Sequence, residues 1–198
     1  MERLTIVTQR CGCHLLSDSL LRSIRKHLGS VEIILSDSHF KHSKHGQDHP
    51  SAMNESIQKA KTPFVLFVDH DILLLDSEYV NKMIKIMQEK NVLACGSDDY
   101  LFGEVNLLVP PFLMINRKKF LENGKVFGGG NPCYPVFLYA HSLKQKMIKI
   151  NPGKSLFHLG QGSLLSYSDL IVESQFKNKF EAWKKDVGSD ANFDDYVV

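Results

Sequence analysis

Short solid runs of apolar residues take turns with helical stripes through the first half of this chain. Residues 4–8 (LTIVT), 32–36 (EIILS), 64–68 (FVLFV) and 92–96 (VLACG) are the runs. An apolar run with branched and aromatic residues and little alternation reads as a strand buried on both faces. Between the runs, Leu16, Leu20, Ile24 and Leu28 recur every four positions, which predicts a helix capped at Ser17 and ended by Gly29. Met53, Ile57 and Ala60 mark the buried face of a second helix beginning at Pro50. Val80, Met83, Ile84 and Met87 are the stripe of a third, over 77–90, with residues 72–75 as the connection leading into it. Further on, 112–116 (FLMIN) reads as a strand, 117–121 as a short turn or helix, 135–146 as a helix and 147–150 as a short, edge-like strand. A last helix starts near Ser168, with Val172, Phe176, Phe180 and Trp183 at helical spacing as core, and the acidic tail from Asp186 is expected to be loose. The alternation of strands and helices predicts an α/β fold: a single-domain, Rossmann-like, mostly parallel sheet with flanking helices.

Composition narrows this only a little. A chain of 198 residues, 43% hydrophobic and 23% charged, fits one globular domain with a full core. Its net charge of +2 gives no reason to expect nucleic acid as a partner. The basic clusters at 22–27, 117–119 and 144–149 read as solvated faces. Four cysteines, Cys11, Cys13, Cys95 and Cys133, are too few for a disulfide scaffold and point to a reducing, cytoplasmic compartment. The first ten residues lack the apolar core of a signal peptide, and no stretch approaches the roughly 20 apolar residues of a membrane span.

The candidate chemistry gathers at the end of the third run. Asp69 and Asp71 follow Val68 at positions i and i+2, so they point the same way where a strand ends. Two carboxylates at one point repel each other and call for a proton or a cation. Hard oxygen ligands in an open site suit Mg²⁺ or Mn²⁺ carrying a diphosphate. Carboxyl ends of parallel strands are also where α/β folds bind ligands. The loop histidines His39, His42, His45 and His49 read as part of a loop over the site or as a solvated loop. Structural zinc usually takes tight Cys/His pairs, and no CxxC accompanies them. The glycine triplet 128–130 reads as a turn or as a place where backbone approaches a sugar.

This order of parts resembles a glycosyltransferase of the A-type fold, closest to the family 2-like group. LTIVT stands at the first strand, EIILSDS at the second strand ending in Asp, and HPSAMNESIQKAKTPFVLFVDHD at the helix and strand that deliver an Asp-x-Asp pair. The resemblance covers about residues 3–165 and implies a nucleotide-diphosphate sugar donor and a Mn²⁺ or Mg²⁺ cofactor. It implies that Thr8, Gln9, Arg10 and Asp37 line the base and ribose pocket, with Asn54 near the nucleotide side of the cleft and His70 beside it. Asp69 would hold the ribose or a metal-bound water, and Asp71 the metal itself. The late segment FHLGQGS resembles one that closes over the diphosphate, making His158 a metal or phosphate ligand and placing Gln161 and Ser163 near the phosphates. About residues 1–100 would be the nucleotide half, 101–165 the acceptor side, and 166–198 a C-terminal helix and tail. A hexosyl- or deoxyhexosyltransferase is expected, with a glycan, lipid-linked or other acceptor.

One departure bears on mechanism. Inverting relatives commonly carry a Glu-Asp pair after the glycine-rich stretch, whereas here no acid occurs from Gly124 through Ser168. Either Asp98, Asp99 or Glu104 supplies a base from another loop, or the enzyme retains configuration. Two rivals remain at this level. In a haloacid-dehalogenase-like phosphatase Asp69 would be the nucleophile, but that pair usually lies on the first strand, and here two strands precede it. A nucleotide-sugar-binding module without catalysis would explain the missing Glu-Asp.

Overall fold

The computed structural model describes residues 3–10, 14–37, 48–97, 112–122, 124, 126–127, 147–160 and 169–197. The expected helix over 135–146, the glycine triplet, three of the loop histidines (39, 42, 45), and Asp98, Asp99, Glu104, Gln161 and Ser163 lie outside these residues.

The chain runs β1 (Leu4–Arg10), α1 (His14–Leu28), β2 (Glu32–Asp37), α2 (Asp48–Lys59) and β3 (Phe64–Val68). After β4 (Ile72–Leu74) come α3 (Glu78–Lys90), β5 (Ala94–Gly96), β6 (Phe112–Asn116), α4 (Arg117–Glu122), β7 (Met147–Lys149), β8 (Leu156–His158) and α5 (Asp169–Val187). Six strands form one sheet in the order β2-β1-β3-β6-β5-β7. The pairs β1–β2, β1–β3 and β5–β7 are parallel, and β6 runs antiparallel to both its neighbours. The mostly parallel α/β sheet expected from the pattern is the observed one.

Strand alternation sorts the solid apolar runs onto two faces. Leu4, Ile6, Phe64, Leu66, Val68 and Met114 pack with Leu20 and Ile24 of α1 and Val80, Met83 and Met87 of α3. Val7, Val65, Phe67, Leu113 and Ile115 pack on the other side with Met53 and Ile57 of α2 and Phe120 of α4. Helices on both faces leave no solvated side to the central strands, which is why their sequences are mostly apolar. Each such side chain, fully buried, contributes about 1.5–3 kcal/mol.

Several boundaries differ from expectation. α1 begins at His14, so Ser17 is a buried interior residue and not the cap. The serines of α1 let it approach β4 closely: Ser23 Oγ donates to the Leu20 carbonyl and accepts from the Leu74 amide. α2 begins at Asp48, with Pro50 in its first turn, where a missing N–H costs nothing.

Two larger differences concern the late chain. Residues 72–74, expected as a connection, form β4, which pairs with β8 in a separate antiparallel ribbon. Ile72, Leu74 and Leu156 of this ribbon face the main core. Leu73, Phe157 and Leu159 join a third cluster with Phe176 and Phe180 of α5. A ribbon this short has no stability of its own and exists because both faces are covered. The second correction is the tail. It is not loose: Phe193 and Tyr196 are buried, in and beside a short 3₁₀ turn over Phe193–Asp195. Lys26 pairs with Asp195 at 2.8 Å, Arg22 Nη1 donates to the Val197 carbonyl at 2.9 Å, and His27 stacks on Tyr196. Two aromatics anchor the acidic segment, and part of the basic cluster of α1 receives it.

Candidate metal centre

The chain leaves β1 through α1 to reach β2, then returns through α2 to β3 on the other side of β1. This reversal of direction between β1 and β3 is the position at which open α/β sheets form a binding crevice. Asp69 follows the last residue of β3 at that point, and Asp71 precedes the first residue of β4. Thr8 pairs with Val68, so β1 continues past the paired part of β3 with Gln9 and Arg10, and Arg10 pairs in register with Asp37.

The ribbon brings the third group. His158 sits opposite Ile72, and the Leu159 amide donates to the Asp71 carbonyl at 3.0 Å. This register places His158 Nε2 3.4 Å from Asp71 Oδ1. One ligand atom each from Asp69, Asp71 and His158 lies within 4.8 Å of the others. Asp71 is buried, and Asp69 and His158 are partly so.

The electrostatics agree with the geometry. Burial, and then the Asp71 charge, push the Asp69 carboxyl up to about 7, with His158 acting in the opposite direction. The two carboxylates therefore resist being ionised together while no cation is present. Two carboxylate oxygens and one imidazole nitrogen converging at a strand end, short of positive charge, fit a divalent ion such as Mn²⁺ or Mg²⁺. His70, between the two acids in sequence, is buried and has an Nε2 without a hydrogen-bond partner among the described residues. Burial, followed by His158, holds its pKa below the usual imidazole value against the pull of Asp71.

Other expected site residues fall as follows. Thr8 and Gln9 are buried at the end of β1. Asn54, on α2, exchanges two hydrogen bonds with the backbone of Phe127: its Nδ2 donates to the carbonyl at 2.9 Å and its Oδ1 accepts from the amide at 2.7 Å. This fastens the chain just before the glycine triplet, and Phe127 packs on Phe67 and Phe120. Sequence reasoning passed over Ser36 and Ser97. Their hydroxyls, like that of Thr8, are buried without a partner among the described residues, each at the carboxyl end of a sheet strand. The signal was available: a hydroxyl at the end of a strand-like apolar run. Gly96, preceding Ser97, has no room for a side chain, since a Cβ would stand 2.7 Å from the Phe112 carbonyl oxygen.

Known structures share this architecture. A mannosyltransferase from Pyrobaculum calidifontis, in complex with GDP-Man and Mn²⁺, superposes with a TM-score of 0.59 at 12% identity over 75% of this chain. The match spans 55% of that enzyme's length. Glucosyl-3-phosphoglycerate synthase from Mycobacterium tuberculosis, in complex with Mn²⁺ and UDP-glucose, gives 0.59 at 12% identity, covering 96% of this chain and 81% of the synthase. TarS 1–349 from S. aureus, in complex with UDP-GlcNAc, gives 0.55 at 12% identity, covering 96% and 68%. At such identities the likeness establishes the fold, that of the A-type glycosyltransferases. No curated protein sequence matches the chain significantly. The family model for glycosyl transferase family 2 matches residues 19–142, a span that includes Asp69 and Asp71 and stops short of His158. A match over more than half the chain, together with that fold, settles the family: this chain belongs to glycosyl transferase family 2.

Proposed function

We propose that this chain transfers a sugar, hexosyl or deoxyhexosyl, from a nucleoside-diphosphate donor to an acceptor, with Mn²⁺ or Mg²⁺ held by Asp69, Asp71 and His158. The observation that carries the reading is the convergence of these three side chains within 4.8 Å at the β1/β3 crevice. A divalent ion bound there supplies a Lewis acid for the negative charge that grows on the departing diphosphate. The protein's own groups do the rest. Asp71, fixed through its carbonyl to Leu159, and His158, fixed opposite Ile72, present their ligand atoms without having to move. Low accessibility around the pair keeps water from competing for these atoms.

In this reading the half of the chain up to about residue 100 binds the nucleotide and the following stretch to about 165 faces the acceptor. Thr8, Gln9, Arg10 and Asp37 are proposed for the base and ribose, as the ends of two adjacent parallel strands. His70, Gln161 and Ser163 are proposed for the donor's ribose and phosphates, and Asn54 for holding the segment that begins after Phe127. Asp98, Asp99 and Glu104 are the proposed bases if the reaction inverts configuration. The complexes of the mannosyltransferase and the synthase support a nucleotide-diphosphate sugar as donor class. No described helix is long and apolar enough to cross a membrane. The free, buried thiol of Cys95 fits a reducing, cytoplasmic setting.

Thermal-shift screening of UDP-, GDP- and dTDP-sugars with and without Mn²⁺ tests this, because a ligand of the native state raises its stability by mass action. At least one donor should raise the melting temperature in a Mn²⁺-dependent way, and Asp71→Asn should remove that response. The absence of any shift across the panel would overturn the reading.

A further inference from the structure

His158 is the last residue of β8, a strand of three residues. Strand ends fray, and Gly160, at φ 67°, turns the chain out of the ladder two residues later. Something other than the ladder must hold the imidazole toward Asp71. The neighbours of His158 on both sides are gripped by α5. Phe157 is buried, with its ring centroid 5.7 Å from Phe176, 5.1 Å from Phe180 and 5.4 Å from Trp183. On the other side, Lys179 Nζ donates to the Leu159 carbonyl at 3.0 Å. The same Leu159 donates its amide to the Asp71 carbonyl. One residue therefore links α5 to the backbone of a carboxylate, and its predecessor in the chain is the imidazole.

We infer that α5 sets the position of His158 against Asp71, with Lys179 and Trp183 as positioning residues. The contacts they make are with the Leu159 carbonyl and with the rings of Phe157 and Phe180. Lys179 fixes the end of the strand, and Trp183, half-buried, closes the aromatic cluster over Phe157 and Phe180. Phe176 and Phe180 in turn rest on Phe193, so the docked tail braces the helix from behind. The path runs from the tail through α5 to the ribbon, and it enters the site at the one candidate ligand that the family match does not cover. This inference rests on the metal reading for its functional meaning and on the ribbon geometry for its structural content. Residues that orient metal ligands are costly to remove even though they never touch the ion.

The test uses the whole chain with Lys179→Met, Lys179→Arg and Trp183→Leu, and with Arg117→Ala as a matched control. Arg117 holds the end of α2 through the Ile57 and Gln58 carbonyls, away from α5, so its loss lowers stability without touching the ribbon. Two readouts separate the inference from the reading beneath it. The first is the NMR signature of the His158 imidazole in metal-free protein, assigned against His158→Ala. It should move in Lys179→Met and Trp183→Leu, return toward wild type in Lys179→Arg, and stay put in Arg117→Ala. The second is Mn²⁺ affinity by electron paramagnetic resonance, which should weaken about tenfold in the same two variants, the lower end of the cost of losing an outer-sphere partner. If their imidazole resonances coincide with wild type, the positioning role is overturned whatever the metal does. A wild-type chain that binds no Mn²⁺ would overturn the metal reading instead, while the imidazole readout still decides the role of α5.

Discussion

His158 Nε2 lies 3.4 Å from Asp71 Oδ1 because β8 pairs with β4 in one particular register, His158 opposite Ile72 and Phe157 opposite Leu73. Side chains alternate across a ribbon, so a slip of one residue would exchange the two. Phenylalanine would then face the carboxylates, and the imidazole would enter the aromatic cluster of α5. The apolar demand of that cluster selects the register, and the register delivers the imidazole.

From this contact follows the first prediction. His158→Ala should weaken Mn²⁺ binding at least about tenfold, the lower end of what even outer-sphere partners of a metal cost. Only neutral imidazole binds a metal, so wild-type affinity should climb as pH rises. The variant should show a shallower climb. Calorimetric Mn²⁺ titrations at several pH values measure both, and identical curves for the two proteins would reduce His158 to a structural residue.

Asp69 predicts a pH effect on the metal-free protein. Its carboxyl is raised from 3.8 to about 7 in the folded chain, by burial first and the Asp71 charge second. The folded state thus keeps a proton that the unfolded state releases. Stability from this group is present in full below pH 3.8 and is lost as pH rises toward 7. Asp69→Asn cannot lose that proton. Melting curves in chelator should therefore show the variant gaining on wild type as pH increases across this interval, with Mn²⁺ restoring wild type at neutral pH. A constant difference would mean that Asp69 is not strained in the absence of metal.

Asn54 should matter to stability through Phe127. Asn54→Ala removes both hydrogen bonds and leaves the Phe127 amide and carbonyl without these partners. A loss of about 1–3 kcal/mol is expected for buried groups left unpaired. Urea denaturation should show a lower midpoint with an unchanged slope.

The docked tail carries a further stability prediction. Phe193 is 1% exposed and lies against Phe176 and Phe180. Phe193→Ala should cost about 3–5 kcal/mol, as truncation of a buried aromatic does. A surface tail would give almost no change, so chemical denaturation separates the two descriptions cleanly.

How much of this was legible beforehand depends on how local each cause is. The apolar runs at 4–8, 64–68 and 112–116 name their strands because a strand covered on both faces is built mostly from apolar residues, and that requirement is written residue by residue. The stripe Leu16, Leu20, Ile24, Leu28 names α1 for the same reason, with the helical period in place of the solid run. Asp69 and Asp71 stand out because two acids directly after such a strand have no part in a core. Family membership shares this local origin, since the matched span, residues 19–142, takes in most of α1, the runs at 64–68 and 112–116, and both acids.

The ribbon and the tail were settled elsewhere. Residues 72–74 are too short to show a period, and β8 supplies their partner from far along the chain. Ser17 has the chemistry of a cap, yet it lies inside a helix because packing against neighbouring elements outweighs a single capping bond. Acidic composition made the tail look solvated, while Phe193 and Tyr196, two residues at no regular spacing, tie it to α5 and α1. The sequence by itself determined a mostly parallel α/β sheet and a carboxylate pair at the end of its central strand. Only the tertiary structure decided that β4 and β8 pair in the register that sets His158 beside Asp71, because contacts between distant segments follow from which buried faces fit together and not from local pattern.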